Sequence, residues 1–181
     1  MTYFIQNVHA VDELCRELVA AGFSPFVGTQ CEALSRLHEA LDLTVGVLTV
    51  PRDDNALGIA AGVSLAGGFP AVLLRNTGPG ISAEALASVV APHEVPMLLI
   101  VALDAESSAD TDVDTAASRA AGNQAMVRLS AQALEEFGIE SVPLDPTARP
   151  AGQVEVVRAI VIDQLRPAAL LVPADALGRA A

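Results

Sequence analysis

The feature that most constrains the fold of this 181-residue chain is an alternation of short apolar segments with longer segments of helical periodicity. The apolar segments are rich in Val, Ile and Leu and are bounded by Gly, Pro or Asp, which is typical of buried strands. Strands that alternate with helices form right-handed βαβ crossovers, and these build a parallel sheet with helices on both faces. The sequence therefore predicts an α/β fold, a three-layer doubly wound parallel sheet of about six strands.

Periodicity and bounding residues place the individual elements. The predicted strands are residues 24–28, 43–50, 70–74, 96–102, 140–144 and 168–172, and the predicted helices are residues 11–21, 31–41, 53–66, 81–90, 124–137 and 153–165. We expect strand 43–50 to be buried, and strand 96–102 to be central because its residues are apolar throughout. Residues 104–119 are polar and acidic, which is typical of a long loop that is either functional or disordered.

Charge and composition exclude several classes of function. The chain carries 22 acidic and 10 basic residues, a net charge of −12, and every basic residue is Arg. Such a field repels nucleic acid and anionic membrane surfaces, so neither is an expected partner. Schiff-base catalysis and P-loop phosphate binding need a Lys and are also excluded. No apolar run reaches the ~18 residues of a membrane span and no signal peptide is visible, so we expect a cytoplasmic protein with Cys15 and Cys31 reduced.

Polar residues gather where an open parallel sheet binds its ligands, beyond the carboxyl ends of the strands. The predicted loops at that edge are residues 28–32, 51–55, 76–80 and 102–119. The second of these loops places Asp53 and Asp54 at a helix N-terminus, and the third is the turn NTGPG, in which glycines allow a close backbone approach to a ligand. Each signal is weak alone, since an isolated Asp at this point is most simply explained as a helix N-cap.

Other catalytic arrangements have no support in the sequence. His9, His38 and His93 are scattered without ligand spacing, so no metal site is predicted. The GxSxG, GxGxxG and GxxxxGK patterns of hydrolases, dinucleotide-binding proteins and P-loop proteins are absent. The sequence therefore gives no evidence for a Ser-His-Asp triad or for these two modes of nucleotide binding.

Residues 51–101 taken together are far more specific than the separate loops. The segments that carry the pattern are Asp53, Asn55-Ala56, Ala60-Ala61-Gly62, Asn76-Thr77-Gly78-Pro79-Gly80, Ala85-Leu86-Ala87-Ser88-Val89 and Val95-Pro96-Met97-Leu98-Leu99. This pattern resembles the pyrimidine-binding (PYR) domain of thiamine-diphosphate-dependent 2-oxo acid decarboxylases, of the kind found in phosphonopyruvate decarboxylase and the alpha subunit of sulfopyruvate decarboxylase. Less sharp similarity at residues 26–31 and 122–139 extends the resemblance over roughly residues 10 to 145.

The resemblance implies that an acidic side chain hydrogen-bonds the N1′ atom of the cofactor's aminopyrimidine ring and exchanges a proton there. That position falls on Asp53, which stands nine residues before Gly62 as the family's glutamate stands before its helix glycine. Because the family has Glu at this point, the shorter Asp53 needs the backbone to move closer, or the chemistry is slower. Asp54 is an alternative that fails on register.

The resemblance also marks residues around the cofactor and the substrate. The expected cofactor-binding residues are Gly28, Thr29, Asp53, Asn76, Thr77, Gly78 and Gly80, and the expected substrate-binding residues are Gln30, Cys31, Arg75 and Asp104. Relative to the family, an Arg after the apolar strand is lost where this chain reads Ala102-Leu103-Asp104-Ala105, and Arg75 replaces a Gln before the glycine-rich turn. A small 2-oxo acid is therefore the expected substrate, but a phosphonate or sulfonate group on it is not specified.

We expect residues 1–181 to form a single PYR domain. The family's active site also needs a second domain, and the motif of that domain is missing here. In the family, a GDG motif in a second domain binds the diphosphate with Mg²⁺, and no GDG occurs here. We therefore expect a separate beta subunit with the diphosphate-binding (PP) domain, and active sites between the chains of a heterotetramer or larger assembly. Two alternatives stay open: a carboligase subunit that joins the decarboxylated 2-oxo acid to a second carbonyl compound, and a non-catalytic scaffold or regulatory subunit.

Overall fold

The computed structural model of the chain describes residues 2–103, 125, 128–173 and 176–177. The helices in this part of the chain are α1 (Thr2–Ala20), α2 (Ser35–Thr44), α3 (Asp53–Leu65), α4 (Gly78–Ile81), α5 (Ala83–Ala85), α6 (128–136) and α7 (Pro150–Arg158). A 3₁₀ turn, Glu32–Leu34, leads into α2, and π-helical turns at Leu86–Val90 and Ala159–Asp163 continue α5 and α7. The strands are β1 (Phe26–Gly28), β2 (Val47–Thr49), β3 (Ala71–Leu74), β4 (Leu98–Leu103), β5 (Glu140–Pro143) and β6 (Ala168–Pro173).

The six strands form one parallel sheet in the order β2-β1-β3-β4-β6-β5. The register places Phe26 of β1 opposite Ala71 of β3, and Ala71 opposite Leu98 of β4. Strand β4 lies between β3 and β6, and its residues from Leu98 to Ala102 are buried. The predicted fold class, the parallel pairing and the central position of this strand are therefore confirmed.

The core is divided into two layers by the sheet. Along β3, Ala71 and Leu73 belong to the layer that includes α1, α2 and α7, whereas Val72 and Leu74 belong to the layer that includes α3 and α6. Successive side chains of a strand point to opposite faces, so this division shows that both faces of the sheet are covered by helices. The three-layer arrangement predicted from the alternating pattern is present.

The predicted buried strand 43–50 is wrong in both extent and environment. Leu43 and Thr44 belong to the last turn of α2, and Gly46, at φ +84°, ends the helix before a strand of three residues begins. Strand β2 is at the edge of the sheet, so Leu48 is 51% exposed. The β-branched run predicted a strand correctly, but the pattern does not distinguish an edge position from a central one.

The predicted ends of the helices agree with the structure better than the predicted starts. Gly22 and Gly138 follow the ends of α1 and α6 with positive φ, as expected of glycines that terminate helices. Helix α1 begins at Thr2, nine residues before its predicted start. The predicted loop 104–119 lies outside the described residues. Within the described ranges, no helix combines the length and the apolar character that crossing a bilayer requires.

Candidate functional site

Three neighbouring strands bring one polar side chain each to the same edge of the sheet. Thr29 follows β1 directly, Arg75 follows β3 directly, and Asp53 is the first residue of the helix that comes after β2. Strand β1 lies between β2 and β3, and parallel strands present their carboxyl ends at one edge. The topology therefore collects residues that are 22 and 24 positions apart in sequence.

The Asp53 carboxylate is the centre of this cluster. The Thr29 hydroxyl donates a hydrogen bond of 2.6 Å to Oδ1, while Nε and Nη2 of Arg75 donate bonds of 3.2 and 2.8 Å to Oδ2. The Asp53 side chain is fully buried, Thr29 is 4% exposed and the Arg75 side chain is 41% exposed. A buried carboxylate is costly unless it is paired and hydrogen-bonded, so the bonds from Arg75 and Thr29 offset the cost of burying Asp53.

The pattern of hydrogen bonds distinguishes the two carboxylate oxygens. An ionised carboxylate has roughly four acceptor positions. The two bonds from Arg75 occupy Oδ2, and the bond from Thr29 occupies one position of Oδ1. Among the described residues, no further donor to Asp53 is present, so the remaining acceptor position is on Oδ1. A ligand with an N–H donor would make its bond there most readily.

The neighbouring residue Asp54 has a different environment. Arg52 donates to both of its oxygens at 2.9 and 2.7 Å, and the backbone N–H of Asn55 donates to Oδ1. The side chains of Arg52 and Asp54 are 65% and 33% exposed. The hydrogen bond from Arg52 lowers the pKa of Asp54 below its usual value. Asp54 therefore lies in a solvent-exposed pair that does not join the buried cluster.

The simple explanation of these residues as N-caps is wrong. Arg52 occupies the cap position of α3 and makes no side-chain cap hydrogen bond, while Asp53 and Asp54 both lie in the first turn. Carboxylates in the first turn still stabilise the helix through its dipole. Helix capping does not explain why Asp53 is fully buried, or why it bonds two residues that are distant in sequence.

The glycine-rich turn 76–80 packs directly against Asp53. The backbone N–H of Gly78 donates to the carbonyl oxygen of Arg75 at 2.8 Å, which folds the chain back after β3. A Cβ atom added at Gly78 would lie 2.9 Å from Cβ of Leu74 and 3.5 Å from Cγ of Asp53. Only glycine therefore fits at this point beside the carboxylate. Thr77 is half-buried and Gly80 is exposed.

Asn76 of the same turn accepts a hydrogen bond from helix α6, which the sequence did not predict to contact the site. The hydroxyl of Ser130, in α6, donates a hydrogen bond to the carbonyl oxygen of Asn76, and Ser130 is 1% exposed. Ser130 lies one helical turn before the buried Leu134. The available signal was a Ser on the apolar face of an amphipathic helix, because a buried hydroxyl needs a partner.

Gly28 has a structural reason for being glycine. A Cβ atom added there would lie 2.7 Å from both Cβ and the carbonyl oxygen of Leu73 on the adjacent strand. The close approach of β1 to β3 therefore requires Gly28, the residue directly before Thr29.

Two of the expected substrate-binding residues line a separate groove. Gln30 and Cys31 face an open groove of about 560 Å³ that also contains His38, whose Nε2 lies 3.1 Å from the Thr49 hydroxyl. Asp53 and Arg75 do not line this groove. Asp104 lies outside the described residues. The structure therefore joins Arg75, but not Gln30 or Cys31, to the Asp53 cluster.

The described residues contain no group of three or more His, Cys, Asp or Glu side chains that could hold a metal ion. His93 is exposed and His38 bonds a threonine. Cys15 and Cys31 are not joined in a disulfide.

The fold is that of a domain found in thiamine-diphosphate-dependent enzymes. The chain superposes on benzoylformate decarboxylase from Polynucleobacter necessarius with a TM-score of 0.68 and 13% identity, over 95% of this chain and 31% of that one. It superposes on a putative thiamin diphosphate-dependent enzyme from Mycobacterium smegmatis with a TM-score of 0.64 and 14% identity, over 97% and 33% of the two chains. At these identities the likeness establishes the fold alone.

The curated proteins that the chain matches in sequence are subunits of one kind. The chain is 34% identical over 83 residues to sulfopyruvate decarboxylase subunit alpha of Methanothermobacter thermautotrophicus, which is 45% of this chain and 50% of that subunit. It is 36% identical over 73 residues to the subunit of the same name from Methanocaldococcus jannaschii, or 39% and 43% of the two chains. The chain thus spans about half the length of the curated relatives it matches. No family model matches it.

Proposed function

We propose that this chain is the PYR-domain alpha subunit of a two-chain, thiamine-diphosphate-dependent enzyme that decarboxylates a small 2-oxo acid. The observation that carries the proposal is the buried Asp53 carboxylate, which the fold holds at the carboxyl ends of three parallel strands. The similarity to alpha subunits named sulfopyruvate decarboxylase supports the reaction class.

The residues around Asp53 fit an aminopyrimidine ring. Oδ1 has an acceptor position left for the ring N1′, and Gly78 places no side chain against the carboxylate, where an added Cβ would lie 3.5 Å from Cγ of Asp53. Asp53 would accept and return a proton at N1′, and Thr29 would keep Oδ1 oriented toward it. Gly28, Asn76, Thr77 and Gly80 would form the backbone walls of the same site. When bound, the cofactor supplies the electron sink that decarboxylation of a 2-oxo acid requires.

The proposed substrate contacts extend from this centre. Arg75 is half-exposed and would present guanidinium N–H donors to the carboxylate of the 2-oxo acid. Gln30, Cys31 and Asp104 are the further substrate residues that the resemblance suggests. Which 2-oxo acid reacts would depend on these side chains.

The proposed enzyme needs a second chain. Residues 1–181 would form one PYR domain, and a beta subunit with a PP domain would bind the diphosphate and its Mg²⁺. Two active sites would lie between the subunits of an α2β2 tetramer or a larger assembly in the cytoplasm. The term subunit in the names of the relatives supports this dependence on a partner.

The test is to purify the chain alone and together with the protein encoded by the neighbouring gene, and then to supply thiamine diphosphate, Mg²⁺ and a panel of 2-oxo acids. We expect CO₂ release only from the mixture, and no tight binding of thiamine diphosphate by the chain alone. Carbon–carbon bond formation with an added aldehyde would identify a carboligase instead. A folded, co-purifying complex that binds thiamine diphosphate but acts on no member of the panel would favour the non-catalytic subunit.

A further inference from the structure

The Asp53 carboxylate is enclosed although the proposed function requires a ligand to reach it. Its side chain has no exposed surface; among the described residues, Thr29 and Arg75 donate hydrogen bonds to it, and Gly78 lies beside it, where an added Cβ would be 3.5 Å from Cγ of Asp53. Thr29 and Gly78 are themselves buried. A ligand can therefore contact Asp53 only after one of these neighbours has moved.

Arg75 is the neighbour that is able to move. It is 41% exposed, whereas Thr29 is 4% exposed and is fixed by the backbone bond from its N–H to the carbonyl oxygen of Leu73. A long, half-exposed Arg side chain can rotate into solvent without disturbing the core. The route to Asp53 therefore opens on the side that Arg75 covers.

The charges of Asp53 and Arg75 decide which ligands can displace Arg75 from the carboxylate. If Arg75 leaves and nothing replaces it, a buried anion loses its counter-ion, which is strongly unfavourable. An anionic ligand cannot compensate for this loss, but a planar N–H donor can, because it restores a hydrogen bond to the carboxylate. A guanidinium and a protonated aminopyrimidine are both planar groups of this kind.

We propose that Arg75 is an internal competitor for the ligand of Asp53: in the free chain its guanidinium is bonded to Oδ2 and covers the carboxylate, so an aminopyrimidine reaches Oδ1 only after it has displaced Arg75. The inference rests on the proposed function, because it takes the aminopyrimidine as the ligand. It adds that Arg75 closes the route to Asp53 in the free subunit. The apparent affinity for the aminopyrimidine is then the intrinsic affinity multiplied by the fraction of molecules in which Arg75 has left Asp53.

The experiment titrates the full-length chain with thiamine, which carries the aminopyrimidine ring but no diphosphate and so does not need a PP domain. Arg75→Gln is expected to bind thiamine about tenfold more tightly than the wild type, because the competitor is gone. Arg52→Gln is the matched control, since it removes the same charge 23 positions away in sequence from an exposed pair. Asp53→Asn is expected to abolish the gain in the Arg75→Gln background.

Equal or weaker thiamine binding by folded Arg75→Gln, or an equal gain in Arg52→Gln, would overturn the inference. A second measurement needs no variant that risks misfolding: the ¹⁵N NMR signal of the Arg75 Nε–H in the wild type. We expect slow exchange in the free chain and loss of that protection at saturating thiamine. Protection that persists while thiamine binds would also overturn it. The proposed function is judged separately, by CO₂ release from the two-chain complex.

Discussion

Two adjacent aspartates at the start of α3 each pair with an arginine, and the two pairs differ in almost every physical respect. Asp54 is bonded by Arg52, two positions away, and both side chains are in contact with solvent. Asp53 is fully buried and is bonded by Arg75, which comes from another strand end. The first pair is a local surface contact, whereas the second depends on the assembled sheet.

The difference shows that position in a helix turn is a weaker guide to function than the neighbours that the topology supplies. Exposed ion pairs contribute little to stability because water screens them and the long side chains lose entropy. A buried pair is retained only with good geometry and additional hydrogen bonds, which Thr29 supplies to Asp53. The buried pair is therefore where we expect both structural and catalytic effects of mutation.

The largest expected effect concerns activity. In the reconstituted two-chain complex, Asp53→Asn should lower 2-oxo acid turnover on the order of 10²–10⁴-fold, because the amide cannot exchange a proton with the ring. Asp54→Asn should keep most of the wild-type rate. The measurement is CO₂ release under saturating cofactor. Similar losses in both variants, or none in Asp53→Asn, would remove the functional distinction between the two aspartates.

The next effect concerns stability. Arg75→Gln should lower the free energy of unfolding by about 3 kcal/mol, because it leaves the buried Asp53 without its counter-ion. Arg52→Gln should leave the urea midpoint close to that of the wild type. Equilibrium urea denaturation of both variants measures this difference. An equal loss of unfolding free energy in Arg52→Gln and Arg75→Gln would contradict the difference between the two ion pairs.

A smaller effect is expected from the backbone beside the buried pair. Gly78→Ala forces a Cβ to within 2.9 Å of Leu74 and against Asp53, so it should cost about 1–3 kcal/mol. Gly58→Ala is the matched substitution on the exposed face of α3, where an added Cβ meets nothing within 4 Å. It should stabilise the protein by about 0.5–1 kcal/mol. Thermal unfolding of the two variants should therefore shift in opposite directions, and shifts in the same direction would contradict the close packing at Asp53.

The smallest effect is the titration of the exposed pair. The bond from Arg52 holds the pKa of Asp54 below its usual 3.8, so the pair is fully formed above that value and is lost as the pH falls through the lower pKa of the folded state. In Arg52→Gln, the midpoint of Asp54 should rise toward 3.8. ¹³C NMR of the Asp54 carboxyl carbon measures it. An unchanged midpoint would mean that the Arg52 contact is not formed in solution.

The fold could be predicted from the sequence because it depends on patterns of many residues. The six strands, their parallel pairing and the central position of β4 all follow from alternation and apolar runs. The edge position of β2 could not be predicted in this way, because the short run at Val47–Thr49 looks as apolar as a buried strand. Burial at an edge is decided by which elements cover it, which a single segment does not encode.

The site was predictable in its loops but not in its contacts. Asp53, Thr29 and the turn 76–80 were expected at one edge of the sheet, and the structure brings them together. The direct bond between Asp53 and Arg75 was not expected, because the order of the strands brings the loops to one edge of the sheet but does not fix which side chains bond there. Ser130 was missed for the same reason, since its partner Asn76 is remote in sequence.

The most direct test of the central claim is the crystal structure of the two-chain complex with thiamine diphosphate bound. We predict that a carboxylate oxygen of Asp53 lies within hydrogen-bond distance of the aminopyrimidine N1′, and that the Arg75 guanidinium has moved away from Oδ2. A structure in which Asp53 keeps its bonds to Arg75 while a different acidic group contacts N1′ would contradict the account.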